Sequence, residues 1–560
     1  MNNIFSGLHV GLRALETQRK SLDVTGHNIA NANNENYNKQ RAVHKASYPY
    51  TAPGLSNNGG AGQFGTGVEI ESVERVKDQF INSQIFNETQ TTGYWTEMQR
   101  GLEKIEYIFN EPSDSGIDTA MDQFWNSLQD LSNNPSDDAA RNMVRENARN
   151  LVDSFQSVEN QLVDYKESIN ENLTNAAKKV NGLTTQIADL NKQIVSVNGS
   201  DQNPNDLLDE RDALYKELNS MLDVQSREDE AGNLIISADG KQIVNGSDAY
   251  ELEMIEDPND ADKMILGHSK TGSPVEIKDG KISVWVDQRD KNLIKTLDDK
   301  IADLNTLAND MVTQFNEQHK AGYDAEGKQG KDFFVEITDS DKAVSQLALT
   351  DEIDNPDGGL DKIAAGNTVS DLSIIGIEKA DTSDSEDKFE ITIGKDGDDY
   401  KVEVTNLETG DSITGLAKEE DDFKIGFDID LGFVAAGQAN ADFDITAKSK
   451  GTAEVDLGYS IGNGENANAL SDIFNQDGKN VKSDFRKIIT SVGAESSRAQ
   501  KMVNNQEVVL KQLNTLDRSI SGVSLDEEMA NLIKYQQSYS AAAKYINKTE
   551  ELLDSLMTIV

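Results

Sequence analysis

A chain of 560 residues exceeds what one hydrophobic core organises, and roughly two to four domains are expected. Its 99 acidic residues outnumber 53 basic ones, for a formal net charge of −46, which repels nucleic acid and anionic membranes and makes both poor partners. With 0 cysteines, disulfides, thiolate nucleophiles and Cys-ligated metals are excluded, and 36% hydrophobic residues with 8 prolines indicate a folded chain with a lean core.

The first residues contain His9, Arg13, Glu16, Arg19, Lys20 and Asp23, which interrupt the apolar run of a cleaved signal peptide. No stretch of about 18 apolar residues is available to span a membrane. Phe5, Leu8, Leu12, Leu15, Leu22 and Ile29 recur at three- and four-residue steps or their multiples, the rhythm of a helix seam. Gly26 and the run NIANANNENY (residues 28–37) then predict the end of that helix, because Gly and Asn favour termination geometry. Residues 60–84, with Gly62, Gly65 and Gly67 before Val68, Ile70 and Val73, read as a glycine-rich loop entering a short strand.

Residues 78–222 are mostly helical in pattern. The longest seam runs from Leu151 through Phe155, Leu162, Ile169, Val180, Ile187 and Ile194 to Val197, a rod of roughly 70 Å. A β patch is expected at about 223–290, with a hairpin built from Leu234–Ser237, the turn Asp239-Gly240 and Gln242–Val244. Helix returns from Ile294 to Phe315. From about 335 to 460, Phe389/Ile391/Ile393, Tyr400/Val402/Val404 and Phe423 to Leu431 alternate with polar residues, as half-buried strands do. The last seam contains Leu525, Met529, Leu532, Tyr539, Ile546, Leu553, Met557 and Val560, and Ser524 with Glu527 predicts a capping box at its start. Both ends thus carry seams that lack a local core, and the expected burial is of one against the other and then against neighbouring copies.

The expected fold class is multidomain α+β: paired terminal helices of coiled-coil type, a long helical bundle and a β-rich inserted outer domain. The domains are read as 1–75 with 500–560, a terminal helical part; 76–335 with 455–499, the bundle with its β patch; and 336–454, the insert. Catalytic constellations are missing: His9, His27, His44, His268 and His319 are scattered, and no GxSxG, P-loop or strand-borne GxGxxG occurs. Asp201-x-Asn203-x-Asn205 hints at a calcium loop, but Asp206 replaces the required Gly and Asp212 the long Glu, so an interhelical loop is the better reading. The chain is read as no enzyme, with no cofactor and no metal.

Residues 4–41, containing SGLHVGLRALETQRKSLDVTGHNIANANNENYNKQR, resemble the N-terminal signature of the flagellar rod, hook and hook-associated axial proteins. That pattern usually reads NIANANTPGY followed by a basic residue and Gln. Asn28–Asn33, Tyr37 and Lys39-Gln40 match it, while Asn34-Glu35-Asn36 replaces Thr-Pro-Gly, with Asn36 the expected left-handed residue. Gly67-Val68, Arg75 and Asp78 are also similar to the family. SGVSLDEEMANLIKYQQSYSAAAKYINKTEELLDSLMTIV, LLDERDALYKEL (207–218) and FNEQHKAGYDAEGKQGKDFF (315–334) resemble its hook-associated protein 1 branch, the hook–filament junction proteins.

The resemblance implies a secreted, extracellular structural subunit of the bacterial flagellum, exported by the type III pathway and self-assembling in a ring on the hook tip. Implied partners are further copies, the hook protein, a second hook–filament junction protein and an export chaperone at the C-terminal helix. The subunit interface is expected at Leu8, Leu12, Leu15, Leu22, Ile29, Met529, Leu532, Tyr539, Ile546, Leu553 and Met557, with the motif turn at Asn28, Asn31, Asn33, Asn36 and Tyr37. A hook or distal-rod subunit, and an adhesin-like module on the β insert, are the alternatives.

Overall fold

The computed structural model describes residues 2–48, 65–109, 113, 116–200, 202–257, 260–290, 297–366, 371–378, 388–396, 399–406, 412–418, 423–426, 445–448, 452–455, 464–474 and 481–559. Side chains are described for these except 2–6, 257, 260–263, 290, 371–455 and 556–559. In chain order, α1 (Asn2–Ala30) leads into β1 (Gln40–Ala46) and β2 (Val68–Arg75). The helices α2 (Gln79–Phe109), α3 (Ile117–Asn133), α4 (Asp138–Asn198) and α5 (Asn205–Met221) follow. Seven short strands come next: β3 (Gln225–Glu228), β4 (Leu234–Ala238), β5 (Lys241–Asn245), β6 (Asp248–Ala249), β7 (Leu252–Asp257), β8 (Asp260–His268) and β9 (Ser273–Pro274). Then come α6 (Lys281–Asp290), α7 (Leu297–Ala321), α8 (Ala343–Gln346) and α9 (Asp351–Asp354). The strands β10 (Asp371–Glu378), β11 (Lys388–Asp396), β12 (Asp399–Asn406), β13 (Ser412–Lys418), β14 (Phe423–Gly426), β15 (Ile445–Lys448) and β16 (Thr452–Val455) precede α10 (Glu465–Asp472), α11 (Val481–Ser521) and α12 (Leu525–Ile559).

The chain divides into two compact units: 1–101 with 167–294 and 496–560, and 102–166 with 295–495. This grouping differs from the three-part division expected, because it falls within α2, α4 and α11 rather than between elements.

In the first unit β1 and β2 pair antiparallel, from Gln40↔Arg75 to Ala46↔Val68. β3 to β6 form an antiparallel sheet in sequence order, and β7 to β9 another. The expected β4–β5 hairpin is present. Asp239 (φ 48°) and Gly240 (φ 71°) are both left-handed, the conformation a two-residue hairpin turn needs to match strand twist. The apolar face of α4 here, with Leu173, Val180, Ile187 and Ile194, is buried, as are Leu218, Ile236 and Val244. Residues 281–290, expected at the end of the β patch, form α6 instead. Ile282, Val284, Asp287, Gln288 and Arg289 are all buried, so tertiary packing overrides the strand-like alternation. Two of its polar groups are matched: the Trp285 indole N–H donates to Glu97 Oε1 (3.0 Å) and Arg289 to Asn170 Oδ1 (2.8 Å).

In the second unit α3, α7 and α10 pack around Phe124, Phe315, Phe333, Phe334 and Phe474, whose rings lie 4.9 to 6.4 Å apart. Residues 336–366, expected as the beginning of a β insert, contain α8, α9 and two 3-10 turns, and the first strand after them is β10. Three arginines one helical turn apart on α4 hold this segment by its carbonyls: Arg141 to Leu360 and Ile363, Arg145 to Asn355, Arg149 to Asp354. Beyond it β10 to β13 form an antiparallel meander, with Ile391↔Val404 and Ile393↔Val402 in register as the alternation predicts. β14 stops at Gly426; the expected continuation to Leu431, like Ile294 and Val560, lies outside the described residues.

Candidate assembly interface at the termini

α1 ends at Ala30, inside the asparagine run, while Gly26, also expected to end it, remains helical. The Asn31 amide and side-chain Nδ2 both donate to the His27 carbonyl at 3.1 Å, satisfying an acceptor that the next helical turn would have used. The Asn34 amide then donates to Asn31 O (2.9 Å), and the Asn36 amide to Asn34 Oδ1 (3.1 Å). This local side-chain turn does the work that Pro-Gly does in the usual motif. Asn36 is not left-handed: among the described residues the one non-glycine with positive φ is Asp239. Asn33 is exposed and makes no hydrogen bond among the described residues.

Asn28 is the hub of the motif. It is 1% exposed, its Nδ2 donates to Gln40 O (2.9 Å), and its Oδ1 accepts from the Gln40 amide (2.9 Å) and the Tyr37 hydroxyl (2.7 Å). An amide side chain reproduces the donor–acceptor pair of a neighbouring strand, so α1 is fixed to the edge of β1 by one residue. Burial, and then the carboxylates of Asp206, Asp209 and Glu528, raise the Tyr37 pKa and keep its proton on the donating hydroxyl.

A second clamp joins this hairpin to α5. The Asn38 amide donates to Asp209 Oδ2 (3.0 Å), Arg75 donates to Asp209 and Asp212 (2.8 Å each), and Lys77 pairs with Asp212 (2.6 Å). Burial would raise the Asp212 pKa, but Lys77 and Arg75 outweigh it and hold the carboxyl below its ordinary value. At Asp209 burial wins over the bonds from Asn38 and Arg75, and the pKa rises. Arg211, between them on α5, points into the unit and donates to Gly232 O (2.6 Å), Asn191 Oδ1 and Glu228. This network explains the stretch LLDERDALYKEL, whose charges the sequence reading left without a role. Two carboxylates three residues apart on one helix face, with Arg75 ending a strand and Lys77 two residues beyond it, were the available signal. Asn203 and Asn205, weighed as calcium ligands, both donate to Val73 O.

The terminal helices pack along one another, with Ile546 of the predicted α12 stripe against Gly11 of α1. The buried face of α1 is small and polar: Gly11, Thr17, Ser21, Thr25 and Asn28. Thr17 donates to Val68 O (3.0 Å), Ser21 bonds to His44 Nε2 (2.9 Å), and Arg13 reaches Thr66 Oγ1 (3.0 Å) and Ser47. Strand and helix backbones lie so close here that leucine would neither fit nor satisfy these groups. Near the N-terminus α12 comes equally close: a Cβ on Gly11 would stand 2.6 Å from Ile546 Cγ1, and one on Gly7 3.0 Å from the Tyr545 hydroxyl.

The leucine stripe is turned aside. Leu12 is 49% exposed, and Leu8, Leu15, Leu22 and Ile29 are half-buried. On α12 Met529 is 50% exposed and Tyr539 is exposed, with Leu532, Ile546 and Leu553 half-buried; the Met557 side chain lies outside the described residues. Leu525, Ile533 and Leu552, not singled out as interface residues, are also exposed. The capping box is half formed. The Glu527 amide reaches Ser524 Oγ at 3.5 Å, while the Glu527 carboxylate pairs with Lys39 (3.3 Å).

Comparison with known proteins points one way. Residues 102–334 match the family described as the flagellar hook-associated protein FlgK helical domain. Residues 8–37 match the flagella basal body rod protein family, and 519–559 the flagellar basal body rod FlgEFG protein C-terminal family. The chain is 27% identical over 585 aligned positions to flagellar hook-associated protein 1 of Bacillus subtilis, covering 100% of this chain and 98% of that one. The proteins of the same name from Salmonella typhimurium and Escherichia coli are each 28% identical, with 100% of this chain and 99% of theirs covered. In fold, the flagellar hook junction protein FlgK from Burkholderia pseudomallei is similar, with TM-score 0.54 at 16% identity over 78% of this chain and 100% of that one.

Proposed function

We infer that this chain, which belongs to the flagellar hook-associated protein 1 family, is a structural subunit at the hook–filament junction of the bacterial flagellum. It assembles with further copies of itself through its terminal helices. The observation that carries the mechanism is the exposure of Leu12, Leu525, Met529, Ile533 and Leu552 on two helices already packed together. Close packing at Gly7 and Gly11 joins the pair within one chain and leaves an apolar surface for neighbouring copies to cover.

The hook protein on one side and a second junction protein on the other are the neighbours proposed for such a ring. Before assembly the same surface needs protection, and a chaperone on α12 supplies it. Export proceeds through the flagellar type III channel to the cell exterior.

The test is Leu12→Asp and Met529→Asp in the full chain. Neither side chain fills a core, so urea midpoints stay close to the parent's, within about 0.5 kcal/mol. Incorporation onto purified hooks fails. Incorporation at the parent's level by both variants overturns the assembly surface.

A further inference from the structure

A cavity of about 140 Å³ lies where α1, β1 and the start of α12 meet. Thr25, Asn28, Lys39, Arg41, Asn531 and Tyr535 line it, and the Glu528 side chain closes one wall. Asn28 is committed to Gln40 and Tyr37, and Lys39 to Glu527. Glu528 is 4% exposed, yet among the described residues its carboxylate has neither a hydrogen-bond nor an ion-pair partner. The carboxylate faces a cavity that Lys39 and Arg41 also line, and a half-enclosed carboxylate of this kind favours a cation placed beside it. Its field is felt nearby: burial first, and then Glu528, raise the Tyr535 pKa.

The terminal helices differ in charge. α12 carries Asp526, Glu527, Glu528, Glu550, Glu551 and Asp554 against Lys534, Lys544 and Lys548. α1 carries Arg13, Arg19 and Lys20 against Glu16 and Asp23, the reverse of the balance of the chain as a whole. Arg19 and Lys20 are exposed and unpaired among the described residues. Leu525 and Met529 flank Glu528 in sequence and are both exposed, so a docking partner that covers them also shields the carboxylate from water.

We propose that the Glu528 cavity is a recognition site for a basic side chain of a second copy, supplied by the Arg19-Lys20 pair of its α1. This rests on the assembly reading above and gives it a direction. The contact is head-to-tail, α12 of one copy receiving α1 of the next, the arrangement that closes rings. The buried charge sets register between copies, and the apolar rim supplies area.

Carbodiimide joins a carboxylate to an amine in contact with it. In rings assembled from equal parts of ¹⁵N-labelled and unlabelled full-length protein, mass spectrometry is expected to find Glu528 joined to Lys20, with mixed labels in about half the adducts. Adducts confined to one copy, such as Glu528 with Lys39, overturn the proposal. Glu528→Gln is expected to raise the concentration needed for assembly about tenfold or more, with an unchanged or higher melting temperature, and the exchange Lys20→Glu with Glu528→Lys to restore it in part. If Arg41→Ala abolishes the effect of Glu528→Gln, the counter-charge comes from the chain itself and the proposal fails. If Glu528→Gln assembles like the parent while Met529→Asp does not, the cation site is wrong and the assembly reading stands. If both assemble normally, the assembly reading has failed.

Discussion

His319 makes a sharp prediction about acid stability. It lies in the motif FNEQHKAGYDAEGKQGKDFF and is fully buried, its ring against Phe315 and Phe333. Nδ1 donates to the Lys331 carbonyl (2.5 Å), and Nε2 accepts from the Ala364 amide (2.9 Å). Protonation would put a hydrogen on Nε2, facing that amide. Burial is the largest of the effects that lower its pKa from 6.5 to about 4. The folded chain therefore holds the neutral ring more strongly than the unfolded chain does. The resulting stabilisation is fully present above pH 6.5 and is lost as the pH falls towards 4. The lowered pKa corresponds to about 3 kcal/mol in all, of which about 2 kcal/mol disappears between pH 7 and pH 5. Urea unfolding of the parent and of His319→Gln across that range isolates the effect, since other titrating groups cancel in the difference. The difference curve should fall towards acid with that amplitude. A flat curve, or a ring that titrates near 6.5 in the folded protein by NMR, refutes the assignment of a neutral, doubly bonded histidine.

Asn28→Ala removes the side-chain partner of the Gln40 amide and carbonyl and leaves the Tyr37 hydroxyl with only His27 Nδ1 (3.1 Å), and should cost about 2–3 kcal/mol in chemical denaturation. Asn28→Asp does little better, because it lacks the Nδ2 donor. Asp212→Asn strands Lys77 and half of the Arg75 pairing, at about 2 kcal/mol at neutral pH. Because the folded Asp212 pKa is depressed, its contribution is present above the ordinary carboxylate pKa and disappears as pH falls, so parent and variant should converge in acid. Gly11→Ala drives a methyl into Ile546 and should loosen α12, seen as faster proteolysis of residues 525–559. Gly26→Ala meets nothing within 4 Å and should stabilise α1 by about 0.5–1 kcal/mol, visible in the unfolding midpoint.

Long periodic segments were legible from sequence. The seam from Leu151 to Ile194 is buried almost residue for residue, since a helix of that length has one apolar face and nowhere else to put it. The β4–β5 hairpin was equally clear, because Asp-Gly between short apolar runs has few other conformations. What failed was short or polar. α6 alternates like a strand and is a buried helix, decided by partners distant in sequence. The left-handed residue assigned to Asn36 was displaced by an Asx turn at Asn34, a choice that propensity does not separate. The Asp209–Arg75–Asp212–Lys77 network is hard to separate from solvated charge in the sequence, because charged residues are usually solvent-facing.

At the terminal helices the limit of sequence is more general. A three-four rhythm of leucines identifies a helix and its greasy face but not what covers that face. α1 carries two such rhythms in one sequence, Leu8-Leu12-Leu15-Leu22-Ile29 and Gly7-Gly11-Ala14-Gln18-Ser21-Thr25-Asn28. The second makes the contacts with the rest of the chain, because a helix lying against strand backbone and a second helix at close range needs small side chains that can bond to carbonyls. In the proposed assembly, intrachain and interchain contacts therefore use different faces. The pairing of α1 with α12 need not be broken for neighbours to bind, and folding of the pair is separable from assembly. A leucine-to-aspartate change on α1 is accordingly an assembly defect in a folded chain, whereas a glycine-to-alanine change one residue away is a folding defect.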